Sequence, residues 1–364
     1  MFGFILLIAM ELRSRLFAGI MAGGKGERLW PLSRKNRPKQ LLKLFSDKTL
    51  IEETVGRIEP LIPKDRMVVI TTSELKPQMT EILPDITLLF EPEGKNTAPA
   101  CAFAASYLKR QGFDDAVLFM LPADHVIQNG QLLRETLLFA AGLADQTKKL
   151  VTFGITPSRP ETGYGYIEFG DPIAESDGFR AFDVVKFHEK PDLERAKAYI
   201  ESGRFLWNSG MFVWRVDVFL DSLRRHMPEL FDLTEKYDVR DPDELQLFYK
   251  DAPKTSIDYG LMEKAENIAV VEARFDWEDI GSFAALDRII TPDANRNVLK
   301  GEVIAVESED NVFVSEGGLI AALGVSELIV VHTKDVTLVI PRKYAQRVKE
   351  LLAKVREKGK LEYT

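Results

Sequence analysis

The 364-residue chain is 45% apolar and 29% charged, with 24 Gly and 18 Pro dispersed along it. These proportions exclude a disordered tail, a collagen-like chain and a low-complexity chain, and the length suffices for one large domain plus a smaller one. A single cysteine, Cys101, excludes an internal disulfide framework and a multi-cysteine zinc site, and it fits a reducing, cytoplasmic setting. The net charge of −8 argues against general nucleic-acid binding, so a site for a polyanion has to be built locally. One stretch does so. Lys25, Arg28, Arg34, Lys35, Arg37, Lys39 and Lys43 stand against Glu27 alone, a local +6 that leaves −14 for the rest.

Residues 1–10 (MFGFILLIAM) carry no charged side chain, but a bilayer span needs about 20 apolar residues and Glu11, Arg13 and Arg15 interrupt the run. A basic leader and a small-residue cleavage site are also missing. Residues 1–14 are therefore expected to be an extension before the first core strand, with Met10 as an alternative start and no membrane partner. Leu16–Met21 is a short apolar strand that runs into Ala22-Gly23-Gly24. Residues 67–71 and 86–90 read as buried strands and residues 98–109 as a helix. Residues 116–121 form an apolar run without alternation, the mark of a central parallel strand covered on both faces. Residues 131–144 follow as an amphipathic helix and 150–154 as another strand. Strands alternating with helices predict an open α/β sheet, with ligands beyond the carboxyl ends of its strands.

The pattern changes near residue 291. Short β-rich pieces (EVIAV, NVFV, LIAAL, LIVVH, VTLVI) follow one another between residues 301 and 340, with no repeat of fixed period, and a terminal helix is expected over 343–358. The predicted organisation is an extension over 1–14, a catalytic domain over 15–290 and a β-rich module over 291–364.

Residues 22–30 read AGGKGERLW. Glycines let the backbone approach a ligand closely, and successive N–H groups in such a turn form an anion nest. A dinucleotide fingerprint fails here because Leu29 stands where the third glycine is needed. A Walker A loop fails because Gly26 replaces the hydroxyl that would hold magnesium. A plain strand–turn–helix corner is the bland alternative, and Arg28 and Lys39 are what exceed it.

The stretch Gly23-Gly24-x-Gly26-x-Arg28-Leu29-Trp30-Pro31-Leu32-Ser33, continuing to Pro38-Lys39-Gln40, resembles the signature of sugar-phosphate nucleotidyltransferases. Its wording is similar to that of the mannose-1-phosphate guanylyltransferase (GDP-mannose pyrophosphorylase) branch. Further blocks resemble that branch in order: Glu91-Pro92 with Lys95-Asn96-Thr97-Ala98-Pro99, Leu121-Pro122-Ala123-Asp124-His125 and Thr162-Gly163-Tyr164-Gly165-Tyr166-Ile167. Phe187-His188-Glu189-Lys190-Pro191, Trp207-Asn208-Ser209-Gly210, Ser256-Ile257-Asp258-Tyr259-Gly260 and Trp277-Glu278-Asp279-Ile280-Gly281 complete the set. The resemblance implies an α/β fold: a Rossmann-like nucleotidyltransferase domain with a mixed, mostly parallel sheet, followed by a small β-rich, left-handed β-helix-like module.

It also implies a reaction: mannose 1-phosphate and GTP give GDP-mannose and pyrophosphate, with Mg2+ as cofactor. The attacking phosphate oxygen is already an anion, so no general base is needed, and charge neutralisation and positioning carry the catalysis. By the same resemblance, the backbone of Ala22, Gly23, Gly24 and Gly26 lies along the nucleotide. Arg28 holds the β- and γ-phosphates, and Lys39 stabilises charge at the α-phosphate. Lys25 either touches the triphosphate or faces solvent. Arg34, Lys35, Arg37 and Lys43 are read as solvated loop cations that add field. Asp124 and Asp279, 155 residues apart, are the implied magnesium ligands. The adjacent Glu278 is read as a non-ligand, and His125 and His188 as structural.

Lys190 is the implied partner of the sugar 1-phosphate, with Glu189, Asn208 and Gly165 lining the sugar pocket. Guanine selection falls to the stretch from Glu91 to Thr97: Glu91 and Glu93 are both candidates for the carboxylate, and Asn96 and Thr97 for the ribose or base edge. Trp207, Phe212 and Trp214 read as core, and Cys101 as a small buried residue. Two alternatives stand beside this reading: a transferase for another hexose 1-phosphate or nucleotide, and a non-catalytic nucleotide-sugar sensor. The sensor reading predicts losses among Arg28, Lys39, Asp124, Lys190 and Asp279, and all five are present. His332 is the one histidine past residue 290, so no isomerase activity is expected there. A homodimer formed through the β module is the expected assembly.

Overall fold

The computed structural model describes residues 11–364, and the expectation about residues 1–10 lies outside them. The chain divides into two compact units. The first comprises the chain up to Gly23, Gly56–Pro122 and Gln128–Asp276; the second comprises Gly24–Val55, Ala123–Ile127 and Trp277–Thr364. In chain order the first strands are β1 (Leu16–Met21), β2 (Met67–Thr72), β3 (Thr87–Glu91), β4 (Val117–Pro122), β5 (His125–Val126) and β6 (Leu150–Ile155). They are followed by β7 (Tyr166–Ser176), β8 (Phe179–His188), β9 (Phe205–Arg215), β10 (Ile268–Glu272) and β11 (Glu278–Asp279).

The first unit is built on a nine-stranded sheet in the order β3-β2-β1-β4-β9-β6-β10-β8-β7. Strands β1 to β4 run parallel to one another, as do β6 and β10. Strand β9 inserts antiparallel between β4 and β6, and β8 is antiparallel to both β10 and β7. The sheet is thus mixed and largely parallel. The apolar run ending at Pro122 has a parallel neighbour, β1, on one side and an antiparallel one, β9, on the other. Its burial follows from having two neighbours and two covered faces, and that is indifferent to strand sense.

The helix Thr97–Lys109 covers this sheet with Ala98, Ala100, Ala102, Ala104 and Ala105 all buried, so small side chains let it lie close. Phe103, Cys101, Met120, Phe212 and Trp214 belong to the same apolar cluster. The Trp214 ring stacks on Phe219, with centroids 4.4 Å apart. No helix among the described residues is long and apolar enough to cross a membrane.

The second unit carries the short strands β12 (Val298–Lys300), β13 (Val303–Val306), β14 (Val312–Ser315), β15 (Ile320–Leu323), β16 (Leu328–His332) and β17 (Thr337–Pro341). β12, β14 and β16 stack in parallel, and β13 stacks in parallel on β15. The chain therefore coils as a parallel β-helix-like module, which the antiparallel β17 closes. Val298 pairs with Val312 and Val312 with Ile329, so the successive turns are 14 and 17 residues long. Unequal turns explain why no fixed repeat is visible in the sequence.

Register in the coil is held by buried asparagines. Asn297 Oδ1 accepts from Asn311 N at 3.1 Å and from Asn311 Nδ2 at 2.9 Å, while Asn311 Oδ1 accepts from Leu328 N at 2.9 Å. Residues 342–347 form a tight turn ahead of the terminal helix Val348–Glu357, whose Val348 and Leu352 pack against Leu29, Trp30 and Ile280.

Candidate active site

In the second unit, three residues far apart in sequence converge. Lys39 Nζ donates to Asp279 Oδ1 at 2.8 Å and lies 2.9 Å from Asp124 Oδ2. The Lys39 side chain is 7% exposed, and those of Asp124 and Asp279 are 28% and 31% exposed. Local structure explains the convergence. Asp124 directly precedes β5, Asp279 lies on β11, and these strands pair antiparallel with Asp279 opposite His125. Lys39 opens a single 3-10 turn, Lys39–Leu41, whose three residues are buried. Gly26 sits at φ 64°, a backbone shape that favours glycine, and a Cβ there would stand 2.4 Å from the Lys39 Cβ.

Burial works against the Lys39 ammonium, but Asp124 and Asp279 outweigh it and push its pKa up to about 12. Burial would raise the Asp279 pKa, but Lys39, His125 and Arg28 hold it down at about 2. Two hard oxygen donors facing one cation make a donor set suited to a divalent ion that takes its other ligands from phosphate and water. Gly26, Arg28, Lys39, Asp124, Asp279 and Gly281 line a cavity of about 180 Å³ here. The neighbours of the pair are otherwise occupied. Glu278 is held by Arg288 through two bonds of 2.7 and 2.8 Å, and His125 Nδ1 accepts from Trp277 Nε1 at 3.1 Å.

The cationic segment differs from the expectation of solvated loop charges. Arg37 forks onto Glu316 at 2.6 and 2.9 Å, and Arg34 bonds Asp335 at 2.7 Å. Arg28 Nη1 donates to Gln346 Oε1 at 2.7 Å, Glu27 pairs with Arg356, and Trp30 Nε1 donates to the Tyr363 carbonyl at 2.6 Å. The coil and the terminal helix thus hold the loop that carries Arg28 and Lys39. No pattern within residues 25–43 marks these partners. Lys25 and Lys43 are exposed.

In the first unit, Glu91 ends β3 and is 4% exposed. Tyr249 donates to its Oε1 at 3.0 Å, and a Cβ on Gly23 would stand 3.0 Å from its Oε2, so this carboxyl lies against the glycine-rich turn. Burial pushes Glu91 up to about 7, with the Tyr249 bond acting the other way. Glu93 is instead an exposed side chain 3.3 Å from Lys95. Asn96 is exposed and its side chain caps the helix that starts at Thr97. Thr97 Oγ1 accepts from Ile257 N at 2.8 Å, which ties that helix to the Ser256–Gly260 block.

A second cluster of this unit joins Gly165, Glu189, Lys190, Asn208 and Asp258. Lys190 contacts Glu189, and a Cβ at Gly165 would stand 2.6 Å from Glu189 Oε2. Asn208 Oδ1 accepts from Gly210 N at 3.1 Å, so its Nδ2 faces Asp258 Oδ1 at 2.7 Å. Asp258 opens a π-turn over Asp258–Met262, and burial raises its pKa. It is the functional candidate that residue-by-residue reading passed over, although the Ser256–Gly260 block contains it. His188 bonds Tyr199 at 3.1 Å, and Trp207 is buried beside Tyr164, so both are structural.

Comparison with known proteins decides the family. The nucleotidyl transferase family model matches residues 18–296, and the mannose-phosphate isomerase/GMP-like β-helix domain matches residues 301–355. A mannose-1-phosphate guanylyltransferase of Escherichia coli K12 is 38% identical over 366 residues, covering 96% of this chain and 76% of that protein. The chain belongs to the mannose-1-phosphate guanylyltransferase family.

Among solved structures, a Thermus thermophilus protein described as a mannose-1-phosphate geranyltransferase matches at 36% identity and a TM-score of 0.87, covering 94% of this chain and 99% of that one. A Helicobacter pylori protein described as a mannose-6-phosphate isomerase matches at 28% identity and a TM-score of 0.58, over 73% of this chain and all (100%) of that one. Membership makes this guanylyltransferase-family chain an enzyme of the nucleotidyltransferase class, with the family's α/β domain followed by its β-helix-like module.

Proposed function

We propose that the enzyme transfers GMP from GTP to mannose 1-phosphate, yielding GDP-mannose and pyrophosphate. A phosphate oxygen of mannose 1-phosphate attacks the α-phosphorus of GTP, the bond from that phosphorus to the bridging oxygen breaks, and pyrophosphate leaves with the electron pair. The convergence of Lys39, Asp124 and Asp279 carries the reading, because a reaction between two polyanions needs fixed cations and a divalent ion at the reacting phosphate.

Asp124 and Asp279 would hold Mg2+, which neutralises phosphate charge when bound. Lys39 serves the α-phosphate, and Arg28 the β- and γ-phosphates, where its planar fork suits phosphate oxygens. The backbone of Ala22, Gly23, Gly24 and Gly26 follows the nucleotide, with Lys25 at the exposed edge. Glu91, rather than Glu93, accepts from the guanine N1–H and N2–H, since it is the buried carboxyl beside Gly23. Asn96 and Thr97 serve the ribose side. Lys190 takes the sugar 1-phosphate, and Glu189, Asn208 and the backbone at Gly165, which Glu189 approaches closely, take the hexose hydroxyls. The working form is a cytoplasmic homodimer, and the catalytic assignment covers residues 15–290.

The deciding experiment is pyrophosphate release from purified enzyme with Mg2+, mannose 1-phosphate and each of the four NTPs in turn. Release with GTP, abolished by Asp279→Ala, is the expected result. Silence with every NTP in folded protein would sink the proposal, and equal turnover of glucose 1-phosphate would replace mannose by a broader hexose specificity.

A further inference from the structure

The cation that joins Asp124 to Asp279 is the protein's own. Lys39 Nζ contacts one oxygen of each carboxylate at 2.9 and 2.8 Å, and its stem is buried to 7% exposure. The stem has little freedom, because it leaves the Lys39–Leu41 turn directly against Gly26. We infer that Lys39 is the resident counter-cation of the carboxylate pair, and that a divalent ion occupies the pair only as the ammonium is handed to a nucleotide phosphate. The inference rests on the metal assignment proposed above and adds an order of events to it.

The physical reason is a comparison of partners. A metal arriving alone would strip a buried ammonium of both its anions, and an unpaired buried charge is costly. Nucleotide removes that cost by offering phosphate oxygens to the same ammonium. Metal and nucleotide affinities are then coupled through Lys39, and coupling is reciprocal. The free enzyme has weak affinity for the divalent ion, and the metal enters with the nucleotide.

The test uses Mn2+ as the probe, read by EPR titration on the full chain without nucleotide. In Lys39→Met the pair has lost its counter-cation, so Mn2+ is expected to bind at least about tenfold more tightly than to the wild type. Thermal unfolding gives a second readout. Mn2+ should raise the melting temperature of Lys39→Met and leave that of the wild type nearly unmoved, and adding Asp279→Asn should abolish the gain. Lys39→Gln, a shorter and uncharged side chain whose amide can still donate to a carboxylate, replaces the Met variant if that one does not fold. Equal Mn2+ affinity in wild type and a folded Lys39 variant overturns the exchange. Failure of the metal reading is separately visible, as pyrophosphate release by the wild type that needs no divalent ion.

Discussion

Replacing Glu91 by Gln tests the buried carboxyl on stability and on nucleotide choice at once. Glu91 is 4% exposed, and its pKa rises from 4.5 to about 7 in the folded chain. At about 1.4 kcal/mol per pKa unit, the ionised form costs the fold about 3 kcal/mol. The sign follows from linkage. The folded chain holds this proton more tightly than the unfolded chain, so the contribution is fully present below pH 4.5, is lost between 4.5 and about 7, and stays lost above that. The glutamine side chain can still accept from the Tyr249 hydroxyl and carries no charge. The variant should therefore match the wild type near pH 4.5 and exceed it by about 3 kcal/mol at pH 8. With roughly 2 cal/mol/K of unfolding entropy per residue, 364 residues convert this into about 4 °C of melting temperature.

Calorimetry of both proteins from pH 5 to 8.5 measures the difference. A pH-independent difference, or a variant less stable at pH 8, would refute the argument. Activity should move oppositely. Only the ionised carboxyl accepts both guanine N–H groups, so the wild-type KM for GTP should fall about tenfold from pH 6 to pH 8, while the variant lacks this dependence and discriminates poorly between GTP and ATP.

Two further outcomes follow from the geometry, and a third from the sequence, where His332 is the one histidine past residue 290. Gly26→Ala forces a side chain into a left-handed position 2.4 Å from the Lys39 Cβ; it should cost about 1–3 kcal/mol and most of the turnover, and unchanged kcat would contradict the placement of Lys39. Asn311→Ala leaves the Leu328 amide and the Val325 carbonyl without their side-chain partner in the coil, so unfolding by denaturant should shift by about 3 kcal/mol; a shift below about 0.5 kcal/mol would show that the asparagine ladder is dispensable. Fructose 6-phosphate should not be converted to mannose 6-phosphate, despite the likeness to the H. pylori protein, and a coupled isomerase assay that detects conversion above background would overturn this expectation.

Features that depend on neighbouring residues were legible in the sequence. The apolar run into Ala22-Gly23-Gly24 specified β1 and its turn, because an apolar strand of that length can only be buried. Alanine-rich 98–105 specified a covering helix, and the short apolar pieces after residue 300 specified strands. Asp124 was readable as a strand-end carboxylate, and the ordered motifs were enough to indicate the family. Register in the β module was not readable, since turns of 14 and 17 residues break any fixed period and buried asparagines, not a repeated apolar pattern, align them.

Tertiary structure alone decided which charges meet. Lys39 finds Asp279 across 240 positions, and Arg28 finds Gln346 across 318, so no local pattern marks either partner. Arg34 and Arg37 looked like loop cations for the same reason, and the folded chain sets Asp335 and Glu316 opposite them. Glu91 and Glu93 are two residues apart and chemically alike in sequence. Burial separates them, because the strand end points one at Tyr249 and Gly23 while the other lies exposed beside Lys95. Residue type tells what chemistry a position can offer; charge state and partner depend on how much water and which opposite charge the fold leaves around it.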